Sequence, residues 1–181
     1  MITITIPASE WYDEKRSEIV SFRPCELTLE YSLISISEWE MKTKKVYLST
    51  KEKTLEEWLY LFYCMVINKN NLDERIFYAI PPEEYMRLQA YIADPMSATQ
   101  IHDTGKKKPN TGSMSSEEIY CAMSMLNIPY ECKKWHLNRL LKLIEVCAIK
   151  NAPPEKMSKE DAAAEWRKVN AANRAKFKSK G

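Results

Sequence analysis

The chain has 181 residues, 45% of them hydrophobic and 29% charged, with a net charge of +2, the composition of a globular protein with a core of its own. Its glycines are Gly105, Gly112 and Gly181, and none lies inside a candidate element. That excludes phosphate-cradling loops, nucleophile elbows and dinucleotide fingerprints, which need glycine where backbone approaches a ligand or takes positive φ.

The chain opens on Ile2, Ile4 and Ile6 alternating with threonines until Pro7, which predicts a half-buried strand with no basic region of a secretory signal before it. After a polar stretch from Ala8 to Ser17, Leu27, Leu29 and Tyr31 again share a face, and pairing of these two strands is the economical arrangement. A lone hairpin is marginal in water, so it must lie against helices. Ser32 to Lys45 is ambiguous. Leu33, Ile36 and Trp39 have helical spacing, and Ser35-x-x-Glu38 could act as a capping box. Val46–Leu48 reads as a short extended piece.

Thr54-x-x-Glu57 is a clearer capping box, followed by Leu55, Trp58, Leu59, Phe62, Met65 and Val66 at three- and four-residue steps. This wide apolar face predicts a central core helix. The longest apolar run, Trp58 to Ile67, is about half of what a bilayer crossing needs, which predicts a soluble protein. Arg75 to Ile80 admits either a short strand or a helical turn. Pro82, near a first helical position and followed by Glu83 and Glu84, starts a helix with Tyr85, Leu88, Tyr91 and Ile92 on one face, ended by Asp94-Pro95.

Pro95 to Ser113 reads as a mobile loop within the domain. Ser115-x-x-Glu118 then caps a helix carrying Ile119, Ala122, Met123 and Leu126. Glu131 to Ile149 predicts the strongest helix, buried on most sides. Asn151-Ala152-Pro153-Pro154 closes the compact region, and Ser158-x-x-Asp161 starts a last helix rich in alanine, lysine and arginine. The expected architecture is mainly α (α+β): one helical domain, residues 1–151, with a small N-terminal antiparallel β element. A Pro-Pro break and a loosely held basic C-terminal helix make up residues 152–181.

Cys25, Cys64, Cys121, Cys132 and Cys147 contain no Cys-x-x-Cys pair, and buried thiols are the expected state. Cys132 and His136, four residues apart, would supply half a metal site or a nucleophile and base, but no orienting carboxylate or oxyanion hole is evident. Glu56-Glu57, Glu83-Glu84 and Glu117-Glu118 each open a predicted helix, where negative charge is stabilising without any catalytic role. No catalytic set, metal site or cofactor is therefore expected. Trp58 and Trp135 read as core, while other aromatics and methionines suit protein recognition at the surface.

Charge is divided along the chain. Residues 1–100 carry 11 bases against 16 acids, residues 101–181 carry 16 against 9, and after Glu165 six bases follow with no acid. The last helix could contact nucleic acid, but it lacks an arginine-rich face or a helix-turn-helix partner. Docking on a partner protein through Trp166, Arg167, Lys168, Arg174 and Phe177 is the favoured reading.

Several stretches together carry a resemblance: Met1–Pro7, Leu33–Glu40, Leu48–Thr54, Ile128–Leu141 and Lys150–Met157. They resemble a family of small proteins encoded in the tail-gene region of long-tailed bacteriophages and prophages, commonly labelled tail assembly chaperones. The resemblance spans nearly the whole chain. It implies a non-enzymatic factor in the cytoplasm of the infected or lysogenic bacterial host. Such a factor binds the tape measure protein, keeps its apolar helices soluble, yields to the tail tube protein and is absent from the virion. The alternative is a structural virion protein, a head–tail connector or tail terminator component. A nucleic-acid-binding phage protein comes third and an enzyme last.

Overall fold

The computed structural model describes residues 1–14, 16–49, 52–69, 71–99, 113–152 and 159–177, without the side chains of residues 159–162, 175 and 177. The chain divides into two compact units, Met1–Asn151 and Ala152–Gly181. The first is α+β, with an N-terminal β element followed by helices.

Strand β1 (Ile2–Ile6) pairs antiparallel with β4 (Cys25–Leu29), placing Ile2 opposite Leu29 and Ile6 opposite Cys25. Period-two alternation does the work expected of it: Ile4, Ile6, Leu27 and Leu29 are buried while Thr3, Thr5, Glu26 and Thr28 face out. Between these strands lies a second pair, β2 (Ser9–Asp13) with β3 (Glu18–Phe22), so the polar stretch after Pro7 is strand for half its length. Ser9 opposite Phe22 continues the register of Ile6 opposite Cys25. The arrangement is thus one long hairpin, interrupted where Pro7 and Pro24 have no N–H to give a ladder. Chain beyond the second helix extends β4: the Glu30 N–H donates to the Met65 carbonyl at 2.8 Å and the Ile67 N–H to the Thr28 carbonyl at 3.0 Å.

Helix α1 (Leu33–Thr43) starts one turn earlier than Ser35-x-x-Glu38 suggests. Ser32 is the N-cap, and a reciprocal Ser32/Ser35 box replaces the expected one because the Ser35 hydroxyl accepts the Ser32 N–H at 3.0 Å. Lys44, at φ 56°, ends the helix, and Val46–Leu48 is turn rather than extended chain. Helix α2 (Leu55–Met65) has the Thr54/Glu57 capping box and buries Leu59, Leu61, Phe62, Cys64 and Met65. It packs on α1 through Trp39, whose indole N–H donates to the Glu57 carbonyl at 2.8 Å.

The segment Glu74–Ala79 is a 3-10 helix that buries Ile76 and Phe77. Helix α3 (Pro82–Ala93) begins on Pro82 and buries Leu88, Tyr91 and Ile92. Helix α4 (Ser116–Met125) has the Ser115/Glu118 box and buries Ile119 and Met123. Its first N–H, on Ser116, donates to the buried Glu40 carboxylate at 2.7 Å, which also accepts the Tyr47 N–H at 2.7 Å. A carboxylate from α1 thereby sits at the positive N-terminus of α4, joining two helices through a turn.

The strongest predicted helix is shorter and less enclosed than its composition suggests. Tyr130–Lys134 is a separate 3-10 helix, Trp135 is extended, and helix α5 runs from Leu137 to Asn151. The break is tertiary in origin. His136 forms a β-bridge with Ser32, and the Leu137 N–H donates to the Tyr31 carbonyl at 2.8 Å instead of to a preceding turn. Leu137, Leu140 and Ile144 are buried in α5, whereas Cys147 is half-buried. Trp58 and Trp135 are also half-buried; the enclosed tryptophan is Trp39.

In the second unit, helix α6 spans Lys159–Phe177. Ser158 and the Pro153-Pro154 break lie outside the described residues, as does most of the Pro95–Ser113 loop.

Candidate functional site

An open cleft of about 820 Å³ lies between the β2–β3 hairpin, the end of α1, the start of α2 and the 3-10 helix Glu74–Ala79. Trp11 stacks on Tyr78 with ring centroids 4.5 Å apart, and the Lys42 ammonium lies 3.9 Å above the Tyr60 ring. Arg75 is the clamp. It pairs with Asp13 at 3.2 Å, Glu18 at 2.6 Å and Asp73 at 2.7 Å, tying the hairpin to the helical body. Lys42 pairs with Glu74 at 2.6 Å, and Lys45 pairs with Glu57. Arg75 holds the Asp73 carboxyl below its ordinary pKa, chiefly by hydrogen bonding. These groups fasten elements together, so the cleft reads as a seam of the fold. Sequence reasoning had no signal for it, because Asp13 and Arg75 are 62 residues apart.

The residues that suggested chemistry are dispersed. Cys132 lies in the 3-10 helix Tyr130–Lys134, His136 on the bridge to Ser32 and Cys147 in α5, so the one-helix arrangement of these three does not occur. Burial raises the Cys132 thiol, which disfavours a thiolate. The buried His136 imidazole packs edge-on against Tyr31 and Tyr91, with Nε2 3.0 Å from the Tyr91 carbonyl oxygen. The Tyr91 hydroxyl in turn donates to Glu30 at 2.7 Å. Desolvation pushes the His136 pKa down, against the opposing pull of the Tyr91 carbonyl and the Glu30 and Asp94 carboxylates.

The paired carboxylates have structural partners. Glu57 and Glu118 complete the capping boxes of α2 and α4, and Glu84 pairs with Arg87 at 2.6 Å. The Lys45 ammonium, with the Thr54 N–H, holds Glu57 below the ordinary carboxylate range. A general acid needs the opposite shift. Among the described residues no group of three or more His, Cys, Asp or Glu is placed to hold a metal ion. No helix there is long and apolar enough to cross a membrane. Cys64 and Cys132 are buried, Cys25 and Cys147 half-buried, and Cys121 exposed.

The predicted partner-binding residues all fall on α6. Trp166 is 68% exposed and Val169 48% exposed. Arg167, Lys168 and Arg174 are exposed with them, while the side chain of Phe177 lies outside the description. Val169 lies three positions after Trp166 and Asn173 seven positions after it, so all three project along one stripe of the helix. Arg167 and Arg174, also seven apart, lie within about 20° of each other around the axis, along one flank of that stripe. Neither guanidinium has an ion-pair partner among the described residues. In the first unit the exposed apolar side chains include Met41, Met86 and Met125, flexible thioethers of the kind used at adaptable binding surfaces.

Comparison with known proteins finds no family model that matches the chain and no curated protein or solved structure significantly similar to it.

Proposed function

We propose that this chain is a non-enzymatic tail assembly chaperone of a long-tailed bacteriophage or prophage. It works in the host cytoplasm, holding the tape measure protein soluble until tail tube protein displaces it. One observation carries the protein-binding part: α6 presents Trp166 and Val169 to solvent on one face, beside arginines with no partner among the described residues. An exposed tryptophan next to arginine is the composition of a binding hot spot. The exposed methionines support the same reading. The phage part rests on the resemblance of Met1–Pro7, Leu33–Glu40, Leu48–Thr54, Ile128–Leu141 and Lys150–Met157.

The test is co-expression with the tape measure protein, using the full chain and a version ending at Lys156. The expected outcome is a soluble complex with the full chain and aggregation of the tape measure protein with the shortened one. Equal rescue by both would move recognition off α6. Finding the chain in purified phage particles by mass spectrometry would favour a connector or tail terminator component instead.

A further inference from the structure

We infer that α6 is a ligand helix for an apolar groove that is acidic along one side, on a partner protein that meets Trp166 and Val169 with the groove floor and Arg167 and Arg174 with the rim. The inference rests on the reading of α6 as the partner-binding element and adds the chemistry of what it binds.

The stripe is narrow. Among the described side chains Trp166 and Val169 supply its apolar part, and Asn173 continues it one turn further with a polar amide. A helix that lies on a membrane needs a broad, strongly apolar face, and among the described side chains this stripe is interrupted by Asn173 after a single turn. It is better matched to a pocket for one indole beside a smaller cleft for a valine, the helix-in-groove mode read through anchors at three- and four-residue steps.

The charges say more about the partner. Arg167 and Arg174 stand on the same flank as two forks about 10 Å apart along the axis. The acids of α6, Glu160, Asp161 and Glu165, all precede Trp166. From Trp166 onward the charged residues of α6 are therefore cations alone. Guanidinium is weakly hydrated and matches a carboxylate with two parallel hydrogen bonds. A rim carrying aspartate or glutamate one to two turns apart would engage both arginines while the indole is buried. Duplex nucleic acid is less well matched. Lys168 points away from Arg167 and Arg174 around the helix, so the bases do not form one phosphate-tracking face.

The full-length chain is titrated by fluorescence anisotropy with two labelled helical peptides of equal length, each carrying a leucine seam. One seam is flanked by glutamate and its twin by lysine. The expected result is at least tenfold tighter binding of the glutamate peptide, a preference that narrows as salt rises. Trp166→Ala should weaken binding to both peptides. Arg167→Glu with Arg174→Glu should reverse the preference towards the lysine peptide. All three substitutions retain good helix formers, and circular dichroism of each variant checks that α6 persists. Equal affinity for the two peptides overturns the inference, as does an unchanged preference in the double variant. Tighter binding to anionic phosphatidylserine vesicles or to duplex DNA than to the glutamate peptide overturns it as well. The outcome is separable from the co-expression assay. A glutamate preference without rescue of the tape measure protein supports the groove chemistry and removes the phage partner. Rescue without the preference overturns the groove chemistry alone.

Discussion

Trp39 in α1 and Trp166 in α6 are the same residue in two helices, and they occupy opposite environments. Trp39 is 1% exposed, packs edge-on against Tyr47 at 5.4 Å and gives its indole N–H to the Glu57 carbonyl. Trp166 is 68% exposed. The difference lies in what each helix brings with it. Leu33, Ile36 and Trp39 recur at three-residue steps on α1 and are all buried, together with the polar Ser35 and Glu40 whose hydrogen bonds are met. On α6, Asn170 and Asn173 stand where further apolar residues would be needed to make a comparable face. Helix propensity makes both segments helical, whereas burial depends on an apolar stripe long enough to offset the entropy of fixing the side chains.

The largest effect expected from breaking this contrast is at Trp39. Trp39→Ala removes a buried ring and the indole N–H that the Glu57 carbonyl accepts, and should cost about 3–5 kcal/mol. A urea melt of the full chain followed by circular dichroism measures it. A loss below about 1 kcal/mol would show that α1 and α2 do not depend on this contact. Leu140, in α5, is 0% exposed and belongs to the same core.

A smaller effect, confined to the first unit, is expected from His136. The unfolded chain takes up its proton near the ordinary pKa of 6.5, while the folded chain, with the imidazole desolvated, resists protonation to lower pH. Between those two values the unfolded state binds more protons. Stability should therefore fall as the pH drops below about 7, with a slope of at most about 1.4 kcal/mol per pH unit, and level off beneath the folded value. His136→Gln keeps a donor for the Tyr91 carbonyl and removes the titration. Its urea midpoint should be flatter than that of the unaltered chain between about pH 7 and 5.5, above the range in which carboxylates contribute. An identical slope in both proteins would assign the pH dependence to other groups.

How far the sequence foretold these environments depended on whether the deciding contact was local. The capping boxes at Thr54 and Ser115 join residues three apart, and both helices start where those motifs place them. The alternation of Ile2, Ile4 and Ile6 with threonine likewise made β1 and its pairing with β4 readable. Strand β2 was missed because its inward positions include Asp13, a polar residue tolerated there through Arg75. That partner is far away in sequence, so Ser9–Asp13 reads locally as no more than a polar stretch. The start of α5 was misplaced for the same reason. Glu131 to Leu137 has helical spacing, yet the Tyr31 carbonyl takes the Leu137 N–H from another part of the chain. The apolar excess of α5 gave too enclosed a picture, since Leu141, Leu143 and Cys147 are only half-buried. The exposure of Trp166 was readable because the shortage of apolar neighbours on α6 is itself local.

The smallest effect on stability is expected at Trp166, where residue type alone would suggest a large one. Trp166→Ala deletes a ring that is already mostly in water, so little buried area is lost. The replacement has the higher helix propensity, by a few tenths of a kcal/mol. These terms nearly cancel, and the unfolding free energy should stay within about 0.5 kcal/mol of the unaltered chain. The same substitution should reduce partner binding at least tenfold if α6 is the docking element, because an exposed tryptophan that becomes enclosed in a complex typically carries 2 kcal/mol or more of its affinity. Melting and binding measured on one preparation of Trp166→Ala therefore separate a side chain kept for folding from one kept for contact. A stability loss as large as that of Trp39→Ala would mean that Trp166 is buried in the free protein, and the contrast between the two tryptophans would fall.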